Sequence, residues 1–185
     1  DLDSIGGDDD QGLEAFQFNF QDEMENFSWD LTGDDDGAEV PAEEEEMQFI
    51  SVERRIAEMS VGQKIKMAYM GNKSARKVLI RDSNKIVATA VVKSGRLSPS
   101  EVAAFAGNRN LGDGVIREIA MNPEFLRKYP VQVALVNNPK TPPAVALKFI
   151  SGLHKRDLKA LSNNKNVGSV IFLTAKKLFK SKYQK

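Results

Sequence analysis

From Phe49 to Phe179 apolar residues recur three and four positions apart, the period of an amphipathic helix. Phe49, Ile50, Val52, Ile56 and Met59 form the first such group, with helical pattern beginning near Glu46. Ser60 followed by Gln63 has the spacing of a capping box and opens a second helix carrying Ile65, Ala68 and Tyr69. Gly71-Asn72 ends it, since both residues tolerate the left-handed conformation. Val78, Leu79 and Ile80 mark a third helix, Asp82-Ser83-Asn84 a turn, and Ile86, Val87, Ala90 and Val91 a fourth. This last run has some strand propensity, but no partner run accompanies it. Ser98-Pro99-Ser100-Glu101 is a strong helix start, with Ser at N-cap, Pro at N1 and Glu at N3. Further helices follow over Val102–Ala106, Val115–Ala120, Val131–Leu135 and Val145–Ile150, the last expected to be capped by Thr141 with Pro142 at N1. His154–Leu161 and a helix opening at Ser169 complete the pattern, which predicts an all-α chain.

The helix ends resemble one another. Four asparagines, Asn72, Asn108, Asn138 and Asn164, each follow an alanine by four positions (Ala68, Ala104, Ala134, Ala160). The residue after each alanine is large and apolar: Tyr69, Phe105, Leu135 and Leu161. A valine follows each asparagine by six or seven positions: Val78, Val115, Val145 and Val170. In this alignment the alanine lets helices approach, the large residue fills a shared core, and the asparagine closes a turn by bonding nearby backbone. Periods of 20 to 50 residues predict a solenoid, whose units bury their apolar faces only by stacking. The best-formed turn is Asn138-Pro139-Lys140-Thr141-Pro142-Pro143, expected to set the pitch between helices instead of serving as an active-site loop.

That turn and its weaker copies resemble the leucine-rich-variant and HEAT-like helical repeats. More closely, residues 47–182 are similar to uncharacterised deltaproteobacterial helical-repeat proteins. The motifs carrying the likeness are Lys64-Ile-Lys-Met-Ala68, Leu79-Ile-Arg-Asp-Ser-Asn-Lys85, Asn138-Pro-Lys-Thr-Pro142 and Arg156-Asp-Leu-Lys-Ala-Leu161. The resemblance implies a right-handed α-solenoid in a cytoplasmic bacterial protein. It implies no catalytic residue, and the iron–sulfur cluster of some leucine-rich-variant proteins does not carry over, because this chain has no cysteine.

Charge divides the chain in two. Residues 1–53 hold 19 Asp and Glu and no Lys or Arg, whereas residues 54–185 hold all 26 Lys and Arg and 7 acids. The expected organisation is a disordered acidic tail over residues 1–45 and a basic helical domain over residues 46–185. Within the tail Phe16, Phe18 and Phe20 alternate with polar residues, and Phe27 and Trp29 follow; this is a candidate partner-binding motif. The acidic N-terminus lacks the pattern of a signal peptide, and the start at Asp1 suggests a trimmed fragment.

Candidate chemistry is sparse. Without cysteine there is no disulfide, Cys-based zinc site or thiol nucleophile, and the lone His154, beside Lys155 and Arg156, reads as a surface residue. Gly71-Asn72-Lys73-Ser74 lacks the upstream glycine of a phosphate loop, and Asp113 and Glu118 do not share a helix face. No enzyme and no cofactor is expected. The basic charge is the strongest signal, with Lys155, Arg156, Lys159, Lys176, Lys177 and Lys180 as its candidate surface. The expected partner is another protein of open identity; an acidic protein segment, the chain's own tail included, is one partner the basic charge could take. Nucleic acid is the alternative, with the tail competing for the basic face. A membrane surface ranks below both. The expected function is a non-catalytic scaffold for protein–protein interaction.

Overall fold

A computed structural model describes residues 27, 29–32 and 42–183, the side chains of Trp29, residues 42–45 and Gln48 apart. Every regular element among the described residues is helical. A 3₁₀ turn, η1 (Trp29–Thr32), precedes α1 (Ala42–Ala57), α2 (Val61–Met70), α3 (Lys73–Leu79), α4 (Lys85–Lys93), α5 (Pro99–Gly107) and α6 (Asp113–Met121). The single-turn α7 (Pro123–Leu126) leads to α8 (Tyr129–Val136), α9 (Pro143–Ile150), α10 (Lys155–Asn163) and α11 (Ser169–Tyr183).

Local chemistry explains the helix starts. Ser60 and Gln63 form a reciprocal capping box on α2, at 3.2 and 2.9 Å, and Ser98 and Glu101 repeat it on α5 at the same distances. α1 starts at Ala42, so the Glu43–Glu46 block falls in its first turns, inside the expected tail. Gly71 ends α2 in an extended conformation, not the left-handed one anticipated. Its missing side chain is needed for space, because a Cβ there would stand 2.5 Å from the Met67 carbonyl oxygen. Thr141 does not cap α9: Pro142 holds the N-cap position, and the Thr141 Oγ1 is buried without a partner.

Helices pack on their successors and on elements two or three further along: α1 on α3, α2 on α4, α4 on α6, α5 on α8, α9 on α11, and α10 on α11. The apolar interior falls into two clusters, the first running from Phe27 to Leu135 and the second from Val136 to Ala175. α8 joins them. Val131 and Leu135 face the first cluster, while Tyr129, Val133 and Val136 face the second. A helix apolar on both sides is buried on both sides, which is why α8 shows no single stripe.

Part of the expected acidic tail belongs to this fold. Phe27 and Leu31 are buried in the first cluster, the Leu31 carbonyl accepts from the Asn72 N–H at 2.7 Å, and the Asp30 carboxylate pairs with the Arg55 guanidinium. The ammonium of Lys66 lies 5.0 Å from the centre of the Phe27 ring. Apolar burial therefore overrides acidic composition at Phe27 and Leu31, and the expectation of disorder does not hold there.

Candidate functional site

The recurring feature of the fold is a turn, and its first member is not Asn72. Asn72 caps α3, its side chain accepting from the Ala75 N–H three residues on at 3.0 Å. The other three asparagines accept from the N–H two residues on: Asn110 to Asn108 at 2.9 Å, Lys140 to Asn138 at 3.0 Å and Asn166 to Asn164 at 3.0 Å. Asp82 makes the same turn, accepting from the Asn84 N–H at 2.7 Å. Asn84 and Asn122 make the same bond as the N-caps of α4 and α7; the turns at residues 82, 108, 138 and 164 stand ahead of the caps of α4, α6, α9 and α11. The sequence shows a turn at Asp82-Ser83-Asn84, but an alignment on asparagine leaves it out of the series.

Three positions before each turn residue lies a buried apolar side chain, Leu79, Phe105, Leu135 or Leu161. The anticipated alanine row is not shared in this way. Ala68 is buried and Ala134 half-buried, but Ala104 and Ala160 are exposed. Tyr69 and Val170 are also exposed, at 44% and 56%.

The turns are bonded to one another. The Asn138 amide donates to the Ala106 carbonyl at 2.7 Å and to the Asn108 carbonyl at 3.3 Å, and Lys140 Nζ donates to the Leu111 carbonyl at 2.6 Å. The Asn164 amide donates to Asn137 Oδ1 at 3.0 Å. Lys64 pairs with Asp82 at 3.0 Å.

The helices after the turns leave equivalent positions uncovered. Their second and fifth residues are Ile86 and Thr89 in α4, Gly114 and Arg117 in α6, Ala144 and Leu147 in α9, and Val170 and Leu173 in α11. All are exposed or half-buried, and positions three apart share a helix face. Ile86, Leu147, Val170 and Leu173 are large apolar side chains facing solvent, Leu173 at 60% exposure. Between α4 and α6 lies a groove of about 600 Å³, lined by Arg81, Lys85 and Arg117 among others, and it shares Arg81, Asp82, Asn110 and Gly112 with a neighbouring hollow. The acids at its wall are engaged, Asp82 by Lys64 and Asp113 by Lys140 at 3.7 Å. No local motif distinguishes these three cations, so the sequence pointed past them to the C-terminal lysines.

The predicted basic residues lie on α10 and α11, all exposed. Lys159, Lys176 and Lys180 come together with Ser162, Asn163 and Phe179 around a cavity of about 180 Å³. Lys155 stacks on the Tyr183 ring at 5.0 Å, and Arg156 and Lys177 do not line the cavity. Asp157, the one acid in residues 125–185 against 13 Lys and Arg, accepts from the Tyr129 phenol. That phenol in turn accepts from the His154 N–H at 3.0 Å. Burial and the Asp157 carboxylate push the Tyr129 phenol above its ordinary range. Of the predicted aromatic motif, Phe27 is withdrawn into the core, Trp29 has its backbone in η1, and Phe16, Phe18 and Phe20 lie outside the described residues.

Among the described residues no three His, Cys, Asp or Glu side chains gather as a metal-holding group, and no helix is long and apolar enough to cross a membrane. No family model, curated protein or solved structure matches the chain.

Proposed function

We propose that the chain is a non-catalytic helical-repeat scaffold that binds another protein along the outward faces of α4, α6, α9 and α11. In this reading the four helix–turn–helix units stack as a right-handed α-solenoid of the HEAT-like class, in a cytoplasmic bacterial protein. The observation that carries it is the recurrence of uncovered second and fifth positions, three of them large and apolar in α9 and α11. Exposed apolar side chains gathered on one surface mark interaction sites more than single ones do. The acidic tail modulates access by presenting carboxylates to the basic half.

The test is affinity capture from native extract with the intact chain and with Val170→Ser/Leu173→Ser. Both residues are solvent-facing, so the variant keeps its stability, and loss of the captured protein supports the reading. Capture unchanged by this variant and by Ile86→Ser/Leu147→Ser counts against it.

A second reading is a nucleic-acid-binding module whose tail competes for the basic face. It rests on the 13 Lys and Arg against one acid over residues 125–185. Binding to DNA or RNA that weakens steeply with added salt supports it. Absence of binding at low salt rejects it.

A further inference from the structure

We propose that the cavity between α10 and α11 is an oxyanion site that takes a phosphate group. Lys159 of α10 and Lys176 and Lys180 of α11 line it, with Ser162, Asn163 and Phe179 completing the wall. Among the described residues none of the three lysines forms an ion pair, and no carboxylate lines the cavity. Asp157, the one acid on these two helices, is engaged by the Tyr129 phenol. The fold thus brings three lysine side chains to one hollow and lines it with no carboxylate.

A helix terminus answers part of that charge. Lys180 stands in the last turn of α11, where carbonyl dipoles favour cations, whereas Lys159 lies at the middle of α10. Lys176 sits mid-helix, where the dipole offers nothing, and its described contact is with the Phe172 ring at 5.8 Å. Three ammonium groups suit a tetrahedral phosphate better than a lone carboxylate. Phosphate presents three or more acceptor oxygens and up to two negative charges, and lysine binds it as a point charge without needing a planar fork. Ser162 is buried and spends its hydroxyl proton on the Lys159 carbonyl at 2.8 Å, holding the last turn of α10 in place. Asn163 adds an amide to the lining, and Phe179 an apolar side chain. The site is independent of whatever covers the outward faces of α4, α6, α9 and α11.

The experiment titrates the full chain with inorganic phosphate against sodium chloride at matched ionic strength. Phosphate-31 line width and the amide shifts of Ser162 and Asn163 are followed. Phosphate moves both amides and chloride does not. Lys176→Gln weakens binding by roughly fivefold, the scale of one exposed charge contact, and Lys159→Gln/Lys176→Gln abolishes it. Lys148→Gln, exposed on α9, leaves it unchanged. Equal shifts with chloride, or equal weakening in Lys148→Gln, overturn the proposal. A second arm titrates a short single-stranded DNA. DNA binding that falls with Lys176→Gln in step with phosphate binding identifies a phosphodiester source. Phosphate binding with no DNA binding identifies free phosphate or a phosphomonoester.

Discussion

Asn138 reaches back one unit to Asn108. Its side-chain amide donates to the Asn108 carbonyl at 3.3 Å and to the Ala106 carbonyl at 2.7 Å, while its Oδ1 closes its own turn on Lys140. One side chain, 3% exposed, thereby sets both a turn and the spacing between two turns. Asn138→Ala leaves the Ala106 and Asn108 carbonyls and the Lys140 N–H without that partner, and is expected to cost about 2–4 kcal/mol. Asn108→Ala, which removes a turn bond of the same kind at a half-buried position, is expected to cost about 1 kcal/mol. Urea unfolding monitored by helical circular dichroism orders the two. Equal losses would mean that the inter-unit bonds contribute nothing beyond the turn.

Thr141 occupies the place that Leu111 and Val167 hold three residues after the other asparagines. Its Oγ1 is buried with no partner, whereas Leu111 and Val167 fill the site with carbon. Thr141→Val keeps the shape and removes the unsatisfied hydroxyl, so it is expected to stabilise the fold by about 1 kcal/mol. A lower urea midpoint in the variant would contradict this.

Arg76 and Glu101 form a buried, forked pair at 2.9–3.1 Å, and Arg76 also donates to the Gly71 carbonyl at 2.8 Å. The pair joins α3 to α5, and Glu101 simultaneously caps α5. Arg76→Met strands a buried carboxylate and is expected to cost about 3–5 kcal/mol. Arg76→Met/Glu101→Leu recovers part of that loss, and a double-mutant cycle by chemical denaturation measures the coupling.

Tyr129 gives the fold an alkaline dependence. Its folded pKa is raised above the unfolded one. The folded state therefore holds the phenolic proton more tightly. That contribution is fully present below the ordinary tyrosine pKa of about 10 and is lost as pH rises through the raised folded value. Stability is expected to fall from about pH 10 upward, and Tyr129→Phe to flatten that fall while costing about 1 kcal/mol at neutral pH. Equilibrium unfolding across alkaline pH, compared with Tyr69→Phe as control, decides it.

The seat of the tail can be opened separately. Asp30 is held below the usual carboxylate range, first by its hydrogen bond to Arg55. Its contribution is present above the unfolded carboxylate pKa of about 4 and is lost as pH falls through the lower folded value. Phe27→Ala removes the buried anchor and is expected to release residues 27–32 before the remainder unfolds, at about 3 kcal/mol. Trp29, the single tryptophan, reports the release as a drop in fluorescence anisotropy. Unchanged anisotropy would place the seat of η1 elsewhere in the energetics.

The sequence by itself determined the helical class. Apolar spacing, two capping boxes and the punctuation at Ser98-Pro99 and Asn138-Pro139 are local signals, and local hydrogen bonding obeys them. It also determined the charge division and the turns at Asn108, Asn138 and Asn164. The tertiary structure decided what spacing could not express. Asn72 became a helix cap and Asp82 took its place in the series of turns, because an i+3 cap and an i+2 turn use the same residue types. Ala104 and Ala160 turned outward because which side of a helix is covered depends on its neighbours. Phe27 and Leu31 entered the core because burial of apolar surface between η1, α1 and α2 outweighs the acidity of the surrounding chain. Lys159, Lys176 and Lys180 were scattered among six candidate cations until the packing of α10 against α11 brought three of them around one cavity.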